Sequence, residues 1–442
     1  MMRKTAWVIT AAVSAAFVSL GRAEAPASTD STDLTALKAQ IDTLQKQVEK
    51  VQAQQAQQAE INAASAAVAA DAAKQSQMLQ TLPFTAGYNN GFKIQSVDGT
   101  FVMQPGLQLQ FRNITNYNHA DGDDIENGFE FRRVRPRIDG TAFSKDLRYS
   151  LVLDVNRNGG GVSLLDAWVA YSFTKEWGLK IGQFRNSWVH EGDVADARQL
   201  AVERSLVDAT LAGSVTDRVQ GVEGSYSSSD IPAQFIAAFH DGDNSKNTDF
   251  RDSDGPDATS RGDSNFGVSG RVQYKFFGLW DAYKDMTAKG TKENTLVAGA
   301  GVDISQNGDA TISRGVVDIQ YERTDGWSAF GQVVYVYSGV DDSSNVGATA
   351  QAGYLINPKV EAFGRYSFVN FEEDVGGEDL FHEITGGVNY YFGPDGAWDY
   401  NVKFTLDLNY LPSGSPGNQT GVGYLAGDES QVVLRAQFQL VL

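Results

Sequence analysis

No cysteine occurs in the 442 residues, which excludes a disulfide framework and any thiolate metal site and is compatible with an oxidising compartment. Past the N-terminus no stretch approaches the roughly 18 apolar residues that a membrane helix needs, so the chain has no helical span. Histidine is confined to His119, His190, His240 and His382. A hydrolase would need one of them beside a nucleophile or a second carboxylate, and "HDGD" at 240–243 is the only dense candidate. Positive charge is scarce as well: 36 Lys and Arg stand against 55 Asp and Glu, a net charge of -19. Nucleic acid is therefore not an expected partner.

What is present divides by position. "MMRKTAWVITAAVSAAFVSLGRAEA" has Arg3 and Lys4 ahead of an apolar stretch to Leu20 and then Ala23-Glu24-Ala25, the layout of a cleaved signal peptide over residues 1–25. Residues 26–82 are rich in Gln and Ala and nearly free of Gly. Leu34, Leu37, Ile41, Leu44, Val48 and Val51 recur at spacings of 3 and 4, so this segment is expected to be a coiled-coil helix. So thin a stripe favours self-association, the other reading being one amphipathic helix folded back on its own domain.

From residue 83 to 442 the period is two. In "FGVSGRVQYKF" Phe266, Val268, Val272, Tyr274 and Phe276 oppose Ser269, Arg271, Gln273 and Lys275, and "NVKFTLDLNYL" and "QVVLRAQFQLVL" repeat the scheme. Aromatics stand near strand ends (Tyr171, Phe173, Trp177, Trp327, Tyr335, Tyr337, Tyr390, Phe392), the polar faces carry both charge signs, and tight turns alternate with long polar loops. These features fit an all-β fold, a transmembrane antiparallel β-barrel of sixteen strands around a water-filled lumen. Pro105-Gly106 is a candidate bulge, and parity is unclear between Arg314 and Arg323.

The charges give the candidate site. In "FRRVRPRIDG" (131–140), Arg133, Arg135 and Arg137 share one strand face, and an arginine facing lipid near the midplane costs about 2 to 4 kcal/mol, so they are expected in the lumen. Phe129 and Phe131 share that parity, which needs either a bulge or a position above the membrane. Arg148, Asp154, Arg271 and Lys275 are the other expected lumen residues. Two roles stand for the arginines: bracing against wall carboxylates such as Asp139, Asp154 and Asp166, or a site for a passing anion. Residues 187–213 are too apolar for a surface loop. Leu200, Val202, Leu206, Val207 and Leu211 would anchor the segment inside the barrel and leave Glu203, Arg204 and Asp208 at its narrowest point, or it would lie across the top as a lid. The acidic stretch 241–265 lacks the glycine and glutamate positions of a calcium loop and reads as a solvated outer loop, with divalent bridging to lipopolysaccharide as an option. Neither a cofactor nor a metal site is expected.

Five blocks, "GFEFRRVRPRIDGTAFSKDLRYSLVLD", "LLDAWVAYSFTKEWGLKIGQFRNSWVHE", "VERSLVDATLAGSVTDRVQGVEG", "AGYLINPKVEAFGRYSFVN" and "ITGGVNYYF", occur in this order and resemble the phosphate-selective porin O and P family of Gram-negative outer membranes. The resemblance spans most of residues 90–442. It implies a sixteen-stranded outer-membrane porin, usually a homotrimer, with an in-folded constriction loop and cations lining an anion path. The chain would pass small hydrophilic solutes, with phosphate as an option. Beyond the 133–137 cluster, the basic residues of a phosphate-specific ladder are not identifiable. A barrel tethered through a periplasmic coiled coil, and an outer-membrane hydrolase, are the alternative functions.

Overall fold

The computed structural model describes residues 31–81, 84–88, 91–118, 124–156, 159–212, 218–242, 266–307, 310–375, 377–419 and 421–442. The expected signal peptide, His119 and the acidic stretch 243–265 lie outside them. The chain divides by internal contacts into two units, residues 1–82 and 83–442.

In the first unit, α1 spans Ser31–Thr81. At 1.5 Å per residue its 51 residues reach about 76 Å. Its seam is bare: Ile41, Leu44, Val48 and Val51 are each about half exposed.

The second unit opens with a hairpin, β1 (Phe84–Tyr88) and β2 (Phe92–Ser96), in which Phe84 pairs with Ser96 and Tyr88 with Phe92. Only Ile94 and Gln95 extend the pairing to the next strand. Sixteen antiparallel strands follow. They are β3 (Val102–Asn118), β4 (Asp124–Ala142), β5 (Ser144–Val155), β6 (Val162–Ser172), β7 (Trp177–Arg185), β8 (Arg218–Ser227), β9 (Ala233–His240) and β10 (Gly267–Phe277). The second half comprises β11 (Thr295–Asn307), β12 (Ala310–Glu322), β13 (Trp327–Ser338), β14 (Ser343–Asn357), β15 (Val360–Val375), β16 (Glu378–Tyr391), β17 (Val402–Leu411) and β18 (Gln431–Val441). Each pairs with its chain neighbours, and β18 pairs with β3 from Gln431–Asn118 to Val441–Gln108, so the barrel closes without an open edge. Beyond the ladder, Leu442 N–H donates to the Leu107 carbonyl at 2.8 Å, beside Gly106, where a Cβ would sit 2.8 Å from the Leu442 oxygen.

Alternation sets the two faces. On β17, Phe404, Leu406, Leu408 and Tyr410 are exposed while Lys403, Thr405, Asp407 and Asn409 are buried inward. On β12 the parity left open by sequence is settled: Arg314, Val316, Asp318, Gln320 and Glu322 are buried and Val317 and Ile319 exposed. Outward aromatics pair near the strand ends, as in Trp327–Tyr354 (4.6 Å) and Trp177–Tyr226 (4.8 Å), forming a girdle suited to a membrane interface.

Two expectations change. β3 runs through Pro105 and Gly106 without a bulge, the register shift falling instead between Gln110 and Phe111. Connections are also not uniformly short at one end and long at the other. The connection 339–342, on the same end as the long loops, is short, whereas 278–294 and 392–401 on the opposite end are long. The long ones bury residues such as Tyr283 and Met286 inside the barrel.

Candidate functional site

The bulge places the arginines. Phe111 pairs with Phe131 and Gln110 with Arg133, so Arg132 is an extra residue on β4. One inserted residue flips the phase, which lets Phe129 and Phe131 face outward (71% and 51% exposed) while Arg133 and Arg135 point inward on the same strand. The conflict of parity in the sequence is resolved, and a fourth arginine is delivered to the lumen.

Opposite β4 lies the segment 186–212, folded into the barrel. Leu200, Val202, Leu206, Val207 and Leu211 are all buried, so the segment is no lid across the top. Leu206, Val207 and Leu211 pack in one cluster with the inward Val316, Val334, Val369 and Phe381 of the wall. A backbone taken into a barrel must find partners for its polar groups, and the wall supplies them. Val202 N–H donates to Asp407 (2.8 Å), Leu206 N–H to Glu383 (2.7 Å), and the carbonyls of Gln199, Leu200 and Glu203 accept from Lys403, Asn389 and Arg365. Ser205 caps the short helix Leu206–Leu211 by accepting from Asp208 N–H, and its hydroxyl donates to the buried Glu191. Glycine at 301 is needed for the close approach: a Cβ there would lie 1.9 Å from the Trp188 oxygen.

Two carboxylates of this segment take up the arginines. Glu203 receives Arg112 (2.6 Å), Arg132 (2.6 Å) and Arg133 (3.0 Å). Asp196 receives Arg133 (3.2 Å), Arg204 (2.7 Å) and a short contact from Arg135. Burial raises the pKa of both acids, yet the surrounding guanidinium groups outweigh it and hold both well below the usual carboxylate range. The bracing partners are thus chiefly loop acids. Of the wall carboxylates, Asp139 takes Arg137 at 2.6 Å, Asp154 takes Arg135 at 3.4 Å and Glu130 takes Arg112, whereas Asp166 pairs with Arg218 at 3.1 Å and with none of the β4 arginines.

Water contact separates the expected lumen residues. Arg137 (side chain 46% exposed), Asp154 (30%) and the exposed Arg148 meet solvent. Arg133 faces inward but is sealed at 5%. Arg271, expected to line the lumen, is also sealed: it pairs with Asp318 (2.8 Å) and donates to the Trp188 carbonyl and the Tyr283 hydroxyl, because the 186–212 segment and the 278–294 connection both pack over it. Lys275 lies at the strand end with its ammonium 5.3 Å from the Trp280 ring centre. Arg204 and Asp208 are internal to the folded segment, Arg204 binding Asp196 and the Glu191 and Val194 carbonyls. The water-facing strip on β4–β7 includes two groups that sequence reasoning left unassigned, Arg132 (23%) and Lys180 (24%), the latter paired with Glu223 at 2.6 Å.

A second in-folded stretch was not anticipated. Between β17 and β18, Val422 and Tyr424 are buried, Tyr424 donates its hydroxyl hydrogen to Glu383, and the Gly421 and Val422 carbonyls accept from Arg112 (2.7 Å) and Arg435 (3.1 Å). Its signal was Val and Tyr inside a Gly-rich connection.

His240 does not build a catalytic dyad with a nucleophile. Its Nδ1 accepts from Gly242 N–H and its Nε2 meets Asp303, so neither ring nitrogen is placed to take a proton from Ser305, which instead donates to Asp303. His190 stacks on Tyr283 and bonds Gln320; burial lowers its pKa to about 4.

Residues 101–316 match the family model described as Phosphate-selective porin O and P. No curated protein matches the sequence. Among solved structures, the chain is similar to the anion-selective porin from Comamonas acidovorans (12% identity, 77% of this chain and 99% of that one, TM-score 0.53). It is also similar to OmpF of Salmonella typhi in complex with daunomycin (15%, 80% and 100%, 0.52) and to the outer membrane channel DcaP of Acinetobacter baumannii (14%, 80% and 100%, 0.49). A closed sixteen-stranded barrel with a polar interior and an in-folded segment between β7 and β8, together with this match, makes the chain an outer-membrane porin that is similar over residues 101–316 to the Phosphate-selective porin O and P family.

Proposed function

We propose that the channel passes small hydrophilic solutes with a preference for anions, along the β4–β7 wall. The observation that carries this is the difference in solvent contact. Inward side chains of β10–β18 such as Arg365, Glu383, Asn389 and Arg435 are sealed by the in-folded segments, whereas Arg132, Arg137, Asp154 and Lys180 keep water-facing surface. Both signs line the strip, so the preference is moderate and no unbroken arginine ladder runs through it. Segment 186–212, with Glu203, Arg204 and Asp208, forms the constriction by holding the cationic cluster in place. We further propose that three copies assemble, that α1 stands in the periplasm, and that lipid and lipopolysaccharide meet the outward face.

Ion selectivity tests this reading. One unit charge 10 Å from an ion in water contributes about 0.4 kcal/mol, about a factor of two in relative permeability. Replacing Arg137 and Arg148 together by Gln is expected to lower the anion-to-cation permeability ratio by about two-fold to four-fold, most at low salt, with the folded barrel kept. Reversal potentials across a planar bilayer in a KCl gradient read this out. A folded double variant with the wild-type ratio would exclude these groups from the ion path, and a wild-type barrel without conductance would overturn the channel reading itself.

A further inference from the structure

At the end of the barrel from which segment 186–212 folds in, a cleft of about 260 Å³ lies between β3–β4 and the β17–β18 connection. Ile114, Asn116, Glu126, Glu130, Tyr424 and Leu425 line it, and among the described residues no lysine or arginine does. The Asn116 amide is fixed in orientation by a chain that starts at the backbone. Gln431 donates Nε2 to the Leu425 carbonyl (2.6 Å) and takes the Leu425 N–H on Oε1 (3.1 Å), so toward Asn116 this Oε1 can only accept. Asn116 therefore turns Nδ2 to Gln431 and to the Gly423 carbonyl, both at 3.0 Å. Its Oδ1 is left buried with no hydrogen-bond partner among the described residues, on a side chain whose residue is 3% exposed. A buried acceptor without a donor calls for an occupant. The same cleft holds two carboxylates, the exposed Glu126 and Glu130, whose Oε1 accepts from Arg112 Nε at 2.7 Å. Bordering donors are committed elsewhere: Tyr424 gives its hydroxyl hydrogen to Glu383, and Asn127 gives Nδ2 to the Thr115 hydroxyl.

We propose that this cleft binds the primary ammonium group of a small alkylamine, with Asn116 Oδ1 and the Glu126 and Glu130 carboxylates as its acceptors and Ile114 and Leu425 beside its alkyl chain. A lining of acceptors and negative charge selects a ligand that brings donors and positive charge, and an ammonium group brings three N–H donors and no acceptor. The volume of about 260 Å³ lies below the roughly 300 to 1,000 Å³ of drug-sized sites, so the ligand is small. A bare metal ion fits less well. Calcium takes about six to eight oxygens, and among the described residues no three His, Asp or Glu side chains converge as metal ligands.

A ligand-observed NMR titration of the full-length protein in detergent, with butylammonium chloride at constant ionic strength, tests the assignment. Saturable binding is expected, about ten-fold tighter than for tetramethylammonium, which carries the same charge and no N–H donor. Asn116→Ala is expected to weaken butylammonium binding by about ten-fold, and Glu126→Gln by about two-fold to five-fold, the range of an exposed charge pair. No saturable binding, equal affinity for the two cations, or wild-type affinity in Glu126→Gln would overturn the proposal. Should Asn116→Ala fail to fold, because its Nδ2 holds Gly423, Glu126→Gln decides alone, since Glu126 is exposed. None of these readouts depends on conduction, so the site can fail while the channel reading stands, and the reverse.

Discussion

Glu203→Gln is expected to release the 196–204 part of the in-folded segment from β4 and to raise single-channel conductance. The carboxylate receives three guanidinium groups, two of them sealed from water. Removing one partner of a buried ion pair costs roughly 3 to 5 kcal/mol, because the charge left behind has lost its solvation and gained nothing. Here three cations are left, with only Glu130 and Asp196 near enough to share them. Sixteen strands of ladder hydrogen bonds do not depend on Glu203, so the barrel persists and the loss is local. The cations then relax toward water, which widens the passage and strengthens its positive field, so anion preference is expected to rise along with conductance. Wild-type conductance, selectivity and heat stability in this variant would show that the arginine cluster does not anchor the segment.

Acid is the graded form of the same experiment. The native pKa values of Asp196 and Glu203 lie below those of the unfolded chain, so their stabilisation is complete above about pH 4 and is lost as pH falls through the native values. The channel is therefore expected to keep its neutral-pH conductance down to pH 4 and to open only below it. His190, already neutral above about pH 4, adds no transition near pH 6. A conductance step between pH 5 and 7 would contradict both statements.

How much of this could be read from the chain follows from which interactions are periodic. Alternation along β10, β17 and β18 placed each wall residue correctly, because a strand needs only its own parity to sort lipid from lumen. The apolar content of 186–212 announced its burial. Sealing was less legible. Arg271 has lumen parity, yet whether water reaches it depends on Trp188 and Tyr283 from two other connections, and nothing in "GRVQYKF" reports that. The Arg132 bulge was visible only as a conflict: Phe129 and Phe131 had the parity of Arg133, and one inserted residue removes it. Tyr283, Met286 and Tyr424 in long connections were the overlooked sign of further in-folding, since apolar residues there have no lipid to meet.

The cysteine-free chain makes the association of α1 directly measurable, and Val48→Cys is expected to give an interchain disulfide where Lys46→Cys gives none. Ile41, Leu44, Val48 and Val51 lie on one stripe and stay about half exposed on the single helix. Burying such side chains fully contributes about 1.5 to 3 kcal/mol each, and a 51-residue helix with so narrow a stripe gains that only against other helices. With Ile41 and Val48 at the a positions and Leu44 at d, Lys46 falls at f on the outer surface. In a parallel in-register bundle the three copies of residue 48 meet at the axis, within the 4.4 to 6.8 Å Cα separation a disulfide needs, while the copies of residue 46 point apart. Three thiols form one bond, so the product under mild oxidant is a covalent dimer plus a monomer from each trimer, and mass measurement of the unoxidised complex gives three chains. Equal cross-linking at 46 and 48 would mean random collision, and none at 48 would mean that the seam faces a different partner, as a tether to the periplasm requires.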